Sequence, residues 1–434
     1  MALPPLPIRA LCSFSFTLLP VNAEIIAVGS ELLTPFRTDT NSLFLTEQMN
    51  QLGAEIVFKS VVGDDLKRLV AAAQHALFRS EIVIFTGGLG PTEDDLTREA
   101  VAEALGVPLR RDETVLAAIE QRFASRGWKM SPNNSKQADV LEGAVVLPNP
   151  NGTAPGQWLS GKFDERERIV ILLPGPPHEL KPLFKTECRE RLRAKLPPAF
   201  LATRVLKVAM LGESLVDARV APIYKRYTEV QTTILAGAGE IQLHFRSRAP
   251  TMDAAQARVD EAADAVEEEL DDAVYSRNGE SLEQIVGYWL QMRNATLAVA
   301  ESCTGGLLGE RITSVGGSSR YFAGGAIVYS NAVKTELAGV PADMIERHGA
   351  VSREVAAALA EGIRYRCETT FGVGITGVAG PTGGTPEKPV GLVFHALASD
   401  TGTDVIERTF PGDRKRIRWF ATTLALDMVR KKLM

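Results

Sequence analysis

Short apolar runs alternate along the first third of the chain with longer segments whose apolar residues recur every three or four positions. The short runs predict strands at residues 24–28, 56–61 and 82–86, because apolar, β-branched runs of this length are typical of buried strands. The spaced segments predict helices at residues 40–52 and 66–78. Strands alternating with helices indicate a doubly wound α/β sheet, whose ligands bind beyond the carboxyl ends of the strands.

The last third of the chain shows the same alternation and predicts a second α/β domain. Strands are predicted at residues 296–300, 324–329, 371–376 and 390–397, and helices at 282–292, 307–313, 352–364 and 413–431, with a further helix from residue 333. Ser352 is a suitable N-cap for the helix that follows it, since a hydroxyl there accepts a hydrogen bond from the first turn.

A smaller α/β module is predicted between these two domains. After a basic helical stretch at residues 185–195, strands are expected at 203–210, 232–235 and 241–246 and helices near 214–224 and 253–270. Residues 204–280 contain 9 Lys and Arg against 14 Asp and Glu and no GxxG loop. KH domains clamp nucleic acid with such a loop and with basic neighbours. The module is therefore expected to be a spacer or dimerisation element, and no nucleic-acid partner is expected.

Composition narrows the class of protein without identifying it. The chain has 434 residues, of which 45% are hydrophobic and 23% are charged, and its net charge is −5. It is long enough for two or three domains, and its charge argues against nucleic-acid binding. Four widely spaced cysteines without a CxxC pair indicate neither a zinc site nor a disulfide framework. With no apolar run of about 18 residues, no membrane partner and a cytoplasmic location are expected.

The first twenty residues have a faint signal-peptide outline, with Arg9 ahead of an apolar stretch. Ser13, Ser15 and Thr17 interrupt that stretch. We expect Val21 to be the true first residue, so that residues 1–21 belong to an unstructured extension or a misassigned start. N-terminal sequencing that finds residues 1–20 in the native protein would contradict this expectation.

A glycine-rich turn, TGGLGPTEDD, follows the third predicted strand at the position where a phosphate-bearing ligand would bind. Gly87, Gly88 and Gly90 allow backbone N–H groups to approach an anion closely, and Asp94 and Asp95 offer hard oxygen ligands for a divalent cation such as Mg²⁺. A glycine-rich turn taken alone is more often only a turn, and the acidic pair favours a site.

A second turn, ESCTGG, follows the strand predicted at residues 296–300. The residues from Cys303 to Gly306 lead into a helix N-terminus, where free N–H groups hold an oxyanion or phosphate. Ser302 and Cys303 are rival nucleophiles, and chemistry alone leaves the choice open. Lys334, at a strand-to-helix junction, is the leading base, because a desolvated neutral lysine accepts a proton; Tyr329 is a candidate proton relay.

The first domain resembles the molybdopterin-binding domains of the MogA and MoaB type and, more closely, the N-terminal domain of the CinA family. The resemblance rests on TGGLGPTEDDLT, GSELL, DTN, NGTAPG and LPGPPHEL. It implies functional acids at Asp64 and Asp95, a nucleotide-binding role that includes Asn41, a divalent metal, and ADP-ribose pyrophosphatase activity. Pro35 stands where the family usually has glycine, so the loop beside the pocket is expected to differ.

The last domain resembles the nicotinamide-nucleotide amidase (PncC) domain through AESCTGG, YSNAVK, GAVS and TGVAGPTGGTPEKPVG. The resemblance implies hydrolysis of nicotinamide mononucleotide to nicotinate mononucleotide and ammonia without a cofactor. It implies Ser302 as nucleophile and Lys334 as its basic partner, with Tyr329 assisting. It also implies a functional arginine near the C-terminus. Arg414 and Arg416 are both candidates for it, and we expect Arg414 to have this role.

In the expected mechanism, N–H groups of a first loop stabilise the oxyanion and those of a second loop hold the nucleotide phosphate. The substrate-binding residues expected in these two loops are Cys303, Thr304, Gly305, Gly306, Thr376, Gly377, Gly380 and Gly383.

The expected domains are residues 22–184, 185–278 and 279–434, the middle one KH-like by resemblance, and a homodimer is expected. A non-catalytic nucleotide- or pterin-sensing protein is the main alternative. DNA binding is a weaker one, because the middle module is acidic.

Overall fold

The computed structural model describes residues 21–197 and 200–434, and the predicted extension at residues 1–20 lies outside them. The chain forms two compact units: the first contains the described residues up to 201 with residues 248–252, and the second contains 202–247 with 253–434. The boundaries predicted for the three domains stay predictions.

The first unit contains eight strands and six helices, with short turns of 3₁₀ or π helix between some of them. The strands are β1 (Asn22–Val28), β2 (Glu55–Val62), β3 (Ile82–Thr86), β4 (Leu109–Arg111), β5 (Asp139–Leu141), β6 (Val145–Leu147), β7 (Gly156–Phe163) and β8 (Arg166–Leu173). The helices are α1 (Thr40–Gln51), α2 (Leu66–Arg79), α3 (Thr97–Leu105), α4 (Glu113–Ser125), α5 (Pro177–Leu183) and α6 (Arg189–Lys195).

The main sheet of the first unit has the order β2-β1-β3-β8-β7-β6. Its first four strands are parallel, and β7 and β6 are antiparallel. Alternate residues of β1 enter two different cores: Ala23 and Ile25 pack on one face of the sheet, and Ile26 and Val28 pack on the other. A sheet covered on both faces is doubly wound, so the predicted class is confirmed.

The second unit contains the remaining elements. The strands are β9 (Phe200–Ala209), β10 (Val230–Ala236), β11 (Glu240–Ala249), β12 (Val274–Ser276), β13 (Leu297–Glu301), β14 (Phe322–Ile327), β15 (Phe371–Gly377), β16 (Leu392–Ser399) and β17 (Gly402–Thr409). The helices are α7 (Glu213–Tyr224), α8 (Met252–Leu270), α9 (Leu282–Met292), α10 (Leu307–Thr313), α11 (Asn331–Ala338), α12 (Ala342–His348), α13 (Arg353–Arg366) and α14 (Arg414–Leu433).

Two sheets organise this unit. A four-stranded sheet has the order β10-β11-β9-β12, and a five-stranded sheet has the order β14-β13-β15-β16-β17. In the larger sheet β14, β13 and β15 are parallel, whereas β16 and β17 run antiparallel at one edge. Strand β13 is therefore an interior strand, with a core on each face: Leu297 and Val299 belong to one cluster and Ala298 and Ala300 to another.

Helix caps explain where several of these helices begin. Ser352 caps α13 as predicted, its hydroxyl accepting the Val355 N–H at 3.3 Å. Helix α1 is capped by Asp39, whose carboxylate accepts the Ser42 N–H at 2.9 Å.

The sequence prediction missed β17, whose residues are mostly exposed and mixed in polarity. An exposed edge strand lacks the apolar run used to find the others.

Within the described residues, no helix is both long and apolar enough to span a bilayer. Cys188, Cys303 and Cys367 are free thiols.

Candidate functional site

Ser302 lies directly after β13, at the carboxyl end of an interior strand of the larger sheet. Its N–H donates to the Ile375 carbonyl of the neighbouring strand at 2.9 Å, and the residue is 7% exposed. The turn after it ends at Gly306, whose φ of 91° is a conformation that favours glycine. The serine is thus held between two parallel strands, where sheets of this class bind ligands.

Glu301 is the last residue of β13, and its carboxylate binds N–H groups at the N-terminus of α10, the helix that follows this turn. One carboxylate oxygen accepts the N–H groups of Gly306 and Leu308 at 3.1 and 3.0 Å, and the other accepts that of Gly309 at 2.8 Å. The residue is 1% exposed. Helix N-termini attract negative charge, and here a buried side chain of the chain itself supplies it.

These contacts reduce the number of N–H groups in the predicted turn that are free to bind an oxyanion. The Gly306 N–H is bound by Glu301, and the Gly305 N–H donates to the Ser302 carbonyl at 3.1 Å. The N–H groups of Cys303 and Thr304 have no acceptor among residues 21–197 and 200–434. Of the four predicted donors, these two are the ones available to an oxyanion.

Lys334 is 2% exposed and lies in the first turn of α11. Its Nζ donates to the carbonyls of Val328 and Tyr329 at 3.0 and 3.2 Å. Val328 in turn donates its N–H to the Glu301 carbonyl at 2.8 Å, which ties the lysine to the end of β13. Burial lowers the pKa of Lys334 below the ordinary value for lysine.

The two carbonyls match what a neutral lysine needs. A neutral amine has two N–H donors and one lone pair, so both donors of Lys334 are satisfied and the lone pair is left for a proton. A charged ammonium has three donors, and the two carbonyls would leave one of them unpaired. Both forms can donate to the two carbonyls, and it is the lowered pKa that favours the neutral amine and hence a base.

Cys303 is the rival nucleophile, and its surroundings disfavour the thiolate. Burial raises its pKa to about 12, although the positive charge of Arg414 acts in the opposite direction. A thiol needs a lowered pKa to act as a nucleophile near neutral pH. The raised pKa of the thiol favours Ser302, which the residues alone left level with Cys303, and the choice of nucleophile stays a prediction.

Arg414 connects two of the predicted groups. Its Nη1 donates to the Gly380 carbonyl at 2.9 Å, and its Nη2 donates to the Tyr329 hydroxyl at 3.1 Å. The guanidinium of Arg416 instead lies over the ring of Phe420, 5.6 Å from its centroid. Of the two arginines that the sequence left open, Arg414 is the one that contacts predicted site residues.

The second predicted anion loop divides into two parts. Thr376 and Gly377 are strand residues of β15 that pair with β16, and the Thr376 hydroxyl donates to the Ala350 carbonyl at 2.6 Å. Their contact with substrate stays a prediction. Beyond Val378 the chain leaves the sheet, and five N–H groups have no acceptor in the described parts of the chain. They belong to Ala379, Gly380, Thr382, Gly383 and Gly384.

Sequence reasoning missed Arg418, which lies four residues after Arg414 on α14. Its Nε donates to the Thr304 carbonyl at 3.0 Å, and its Nη2 donates to the same oxygen at 2.5 Å. Residues four apart share a helix face, so this face of α14 contacts both loops of the candidate site. The four-residue spacing between Arg414 and Arg418 is the sequence signal that places both on this face. The ESCTGG motif contains Glu301, but the motif does not indicate that its carboxylate accepts backbone N–H groups.

In the first unit, one cleft of about 890 Å³ contains every residue predicted for the nucleotide and metal site. These residues are Asn41, Asp64, Gly87, Gly88, Gly90, Asp94 and Asp95. The loop after the unusual Pro35 also borders the cleft, where Phe36 is 88% exposed. The cleft lies at the carboxyl ends of β1, β3 and β8, as expected for this class of sheet.

Asp95 shapes the glycine-rich turn. Its two oxygens accept the N–H groups of Gly90 and Thr92 at 2.8 and 2.9 Å. The buried Arg98 donates to the Leu89 and Gly90 carbonyls at 2.8 and 3.0 Å. The carboxylate therefore orders the loop, and the predicted metal-ligand role of Asp95 competes with these hydrogen bonds.

The first part of the turn, residues 87–90, leaves two donors for an anion. Across the described residues, the N–H groups of Gly88 and Leu89 have no acceptor. Asn41 donates its amide to the Gly175 carbonyl at 2.6 Å, which leaves its buried Oδ1 without a partner in the same part of the chain. Phosphate oxygens suit the first two groups, and a cation or a ligand donor suits the third.

The donor chemistry of the cleft fits Mg²⁺, which is usually bound by one or two carboxylates together with substrate phosphates. Asp94 is exposed, and its pKa is lowered mainly by a hydrogen bond from Thr92. No group of three or more His, Cys, Asp or Glu side chains within the described residues is arranged to hold a metal by itself. A metal there would need the ligand's own oxygens.

A second cavity, of about 800 Å³, lies in the second unit and contains none of the predicted site residues. Its lining is rich in carboxylates, several of which are paired: Glu267 with Arg204 and Arg277, and Asp272 with Lys431. These pairs have structural roles.

Three known domain families match the chain in succession. A probable molybdopterin binding domain matches residues 24–194, the KH domain of the damage-inducible protein CinA matches residues 203–276, and the CinA C-terminal domain matches residues 279–433. The KH-like character predicted for the middle module is confirmed.

Relatives of full length are also found. A CinA-like protein of Koribacter versatilis is 62% identical over 411 residues, which are 95% of this chain and 99% of that protein. A CinA-like protein of Acidobacterium capsulatum is 58% identical over 412 residues, which are 95% of this chain and 100% of that protein. The crystal structure of CinA from Thermoplasma acidophilum covers 39% of this chain and 98% of its own, with 34% identity and a TM-score of 0.36. The chain therefore belongs to the CinA family, with a MogA- and MoaB-like first domain, a CinA KH domain and a CinA C-terminal domain.

Proposed function

We propose that the second unit hydrolyses the carboxamide of nicotinamide mononucleotide, releasing nicotinate mononucleotide and ammonia. The observation that carries this proposal is the buried Lys334, which has a lowered pKa and binds two carbonyls just after β14, the strand that pairs with the one ending before Ser302. A neutral lysine beside a serine hydroxyl is a known solution for acyl transfer without histidine.

In the proposed reaction, Lys334 Nζ takes the proton of the Ser302 hydroxyl while the serine oxygen bonds to the carboxamide carbon. The oxyanion that forms accepts the free N–H groups of Cys303 and Thr304. The C–N bond then breaks, and the lysine ammonium gives its proton to the departing ammonia. Water attacks the resulting ester with Lys334 again as base, which releases the carboxylate and restores the serine.

The five free N–H groups beyond Val378 are proposed to hold the phosphate of the substrate. Arg414 lies beside them through its bond to the Gly380 carbonyl and adds positive charge. Tyr329, which is 61% exposed, is proposed to orient the substrate together with Arg414 rather than to act as a buried relay.

We propose a second activity for the first unit, the metal-dependent hydrolysis of ADP-ribose. Its support is the single cleft that contains all seven predicted residues, with free N–H groups at Gly88 and Leu89. Mg²⁺, where bound, would neutralise a diphosphate among the carboxylates. The alternative is a cleft that binds a nucleotide or pterin without turnover. The expected homodimer and cytoplasmic location stay predictions.

Ammonia release from nicotinamide mononucleotide tests the amidase directly. Activity resistant to EDTA is expected in the wild type, and Ser302→Ala should lower kcat by a factor of about 10⁴, because the nucleophile is lost. Cys303→Ala keeps the backbone N–H of residue 303 and is the matched control, expected to retain most of the activity. Loss of activity in Cys303→Ala alone would overturn the nucleophile assignment, and an inactive wild type would overturn the amidase.

A further inference from the structure

We propose that Glu301 is a positioning residue for the amidase reaction, fixing the turn that presents Ser302 and leaving the Cys303 and Thr304 N–H groups for the oxyanion. The inference rests on the proposed amidase function and goes beyond it. Glu301 is too deeply buried to meet the solvent, and its carboxylate is committed to three N–H groups of the chain itself.

The three contacts decide which donors remain free. Gly306, Leu308 and Gly309 lie in the first turn of α10, where unpaired N–H groups compete for any nearby anion. Because Glu301 occupies them, an oxyanion on Ser302 has no competing site at this helix start. The two N–H groups left over belong to the residues immediately after the nucleophile.

Glu301 also stands between the base and the turn. Its backbone pairs with Ile327 on one side and Ile375 on the other, and its carbonyl accepts the Val328 N–H at 2.8 Å. The Val328 carbonyl accepts a proton of Lys334. One residue therefore connects the lysine, through its backbone, with the oxyanion turn, through its side chain.

The other side of the turn is held by Arg418, which donates twice to the Thr304 carbonyl. Carboxylate on the N–H side and guanidinium on the carbonyl side hold the turn from opposite directions. Charge-assisted hydrogen bonds are shorter and stronger than neutral ones, so this pair of contacts resists displacement of the turn.

The test compares Glu301→Gln with a matched control in the same unit. Glutamine keeps the size of the side chain, but its NH₂ group faces an N–H donor and cannot accept from it. The control is Glu283→Gln, which removes a buried ion pair to Arg311 on the far part of α10. Both variants lose a buried carboxylate that contacts the same helix, and only the first touches the turn.

For Glu301→Gln we expect kcat with nicotinamide mononucleotide to fall by a factor of about 30 and KM to stay within about threefold, because mispositioned oxyanion donors act on the transition state. Amide hydrogen exchange across residues 302–309 should rise at the same time. For Glu283→Gln we expect a lower melting temperature with kcat within about threefold of the wild type.

Three results would overturn the inference, two of them in Glu301→Gln alone. One is a Glu301→Gln enzyme with normal kcat, and the other is unchanged exchange across residues 302–309. Equal loss of kcat in both variants would indicate general destabilisation and would also overturn it. If the wild type releases no ammonia while exchange still rises in Glu301→Gln, the amidase proposal fails and the hold of Glu301 on the turn stands.

Discussion

The glycine-rich turn of the first unit and the serine turn of the second are built by the same device. Each follows a buried parallel strand, and each has an acidic side chain that accepts backbone N–H groups of its own loop. Asp95 accepts those of Gly90 and Thr92, and Glu301 accepts three at the start of α10. Each turn keeps unpaired N–H groups within the described residues.

The groups around each turn make the difference. The cleft of the first unit is lined by carboxylates, and its buried Arg98 is bound to loop carbonyls. The serine turn has a buried lysine with a lowered pKa beside it. The first arrangement suits a phosphate bridged by a cation, and the second suits transfer of a proton. An anion-holding turn therefore does not define a reaction, and the buried titratable groups beside it do.

Of the substitutions that test this difference between the two turns, Lys334→Met is expected to have the largest effect on activity. Removing the amine while keeping the chain length should lower kcat by a factor of about 10³, the range for loss of a general base. In the wild type, activity should rise with pH through one ionisation below the ordinary range of lysine, because the neutral amine is the active form. Rates of ammonia release between pH 5 and pH 10 check this. A flat profile, or activity in Lys334→Met near that of the wild type, would remove the lysine from the mechanism.

A smaller effect is expected at the other turn. Asp95→Asn should lower Mg²⁺-dependent hydrolysis of ADP-ribose by a factor of about 100, because asparagine cannot accept both loop N–H groups. The amidase of the second unit should be unaffected, which makes it an internal control. Asp94→Asn separates metal binding from loop ordering. Because it removes an exposed candidate metal ligand, it should raise the Mg²⁺ concentration needed for activity. Tight binding without turnover in the wild type would favour the sensing alternative.

Arg414→Ala should have a more modest effect, confined to substrate binding. We expect KM for nicotinamide mononucleotide to rise about tenfold with a smaller change in kcat, because the arginine supports the phosphate loop through Gly380 and not the reacting carbon. Arg416→Ala, which loses a contact with Phe420, is the matched control and should change KM by less than about twofold. Equal effects of the two substitutions would contradict the choice of Arg414.

The smallest effect on activity is expected from His395, in the centre of β16. Its titration should instead change the stability of the fold. Burial lowers its pKa to about 4. The unfolded chain binds this proton near pH 6.5 and the folded chain does not, so stability is complete above pH 6.5 and falls as the pH drops toward 4. Between pH 7 and pH 5 the loss should be about 2 kcal/mol.

Thermal melting of the wild type and of His395→Leu at pH 7 and pH 5 checks this expectation. The variant should show a smaller pH dependence, and the exposed His75→Ala should behave like the wild type. The same pH dependence in all three proteins would mean that His395 does not titrate as its burial requires.

Much of this arrangement was predictable from local patterns. The helices at residues 282–292 and 307–313 and the strand at 82–86 are confirmed residue for residue. Ser302, Lys334 and the glycine-rich turn follow strands in the sequence, and strand ends are where sheets of this class bind ligands. Local pattern missed the exposed edge strand β17 and left residues 97–173 unassigned, where the structure has β4 to β8 together with α3 and α4. It also could not show the acceptors and donors that fill each turn.

The sequence by itself determined the α/β class, the order of the domains and the residues that carry the candidate chemistry, because hydrophobic period and turn composition are local properties. Only the tertiary structure shows that the Cys303 thiol has a raised pKa, that Arg414 contacts Tyr329 and Gly380 whereas Arg416 contacts Phe420, and that Glu301 binds the helix start. The roles of these residues in a reaction stay predictions. The observed properties depend on burial and on hydrogen bonds between residues distant in the chain. A pKa or a free N–H group is a property of surroundings that only the folded chain assembles.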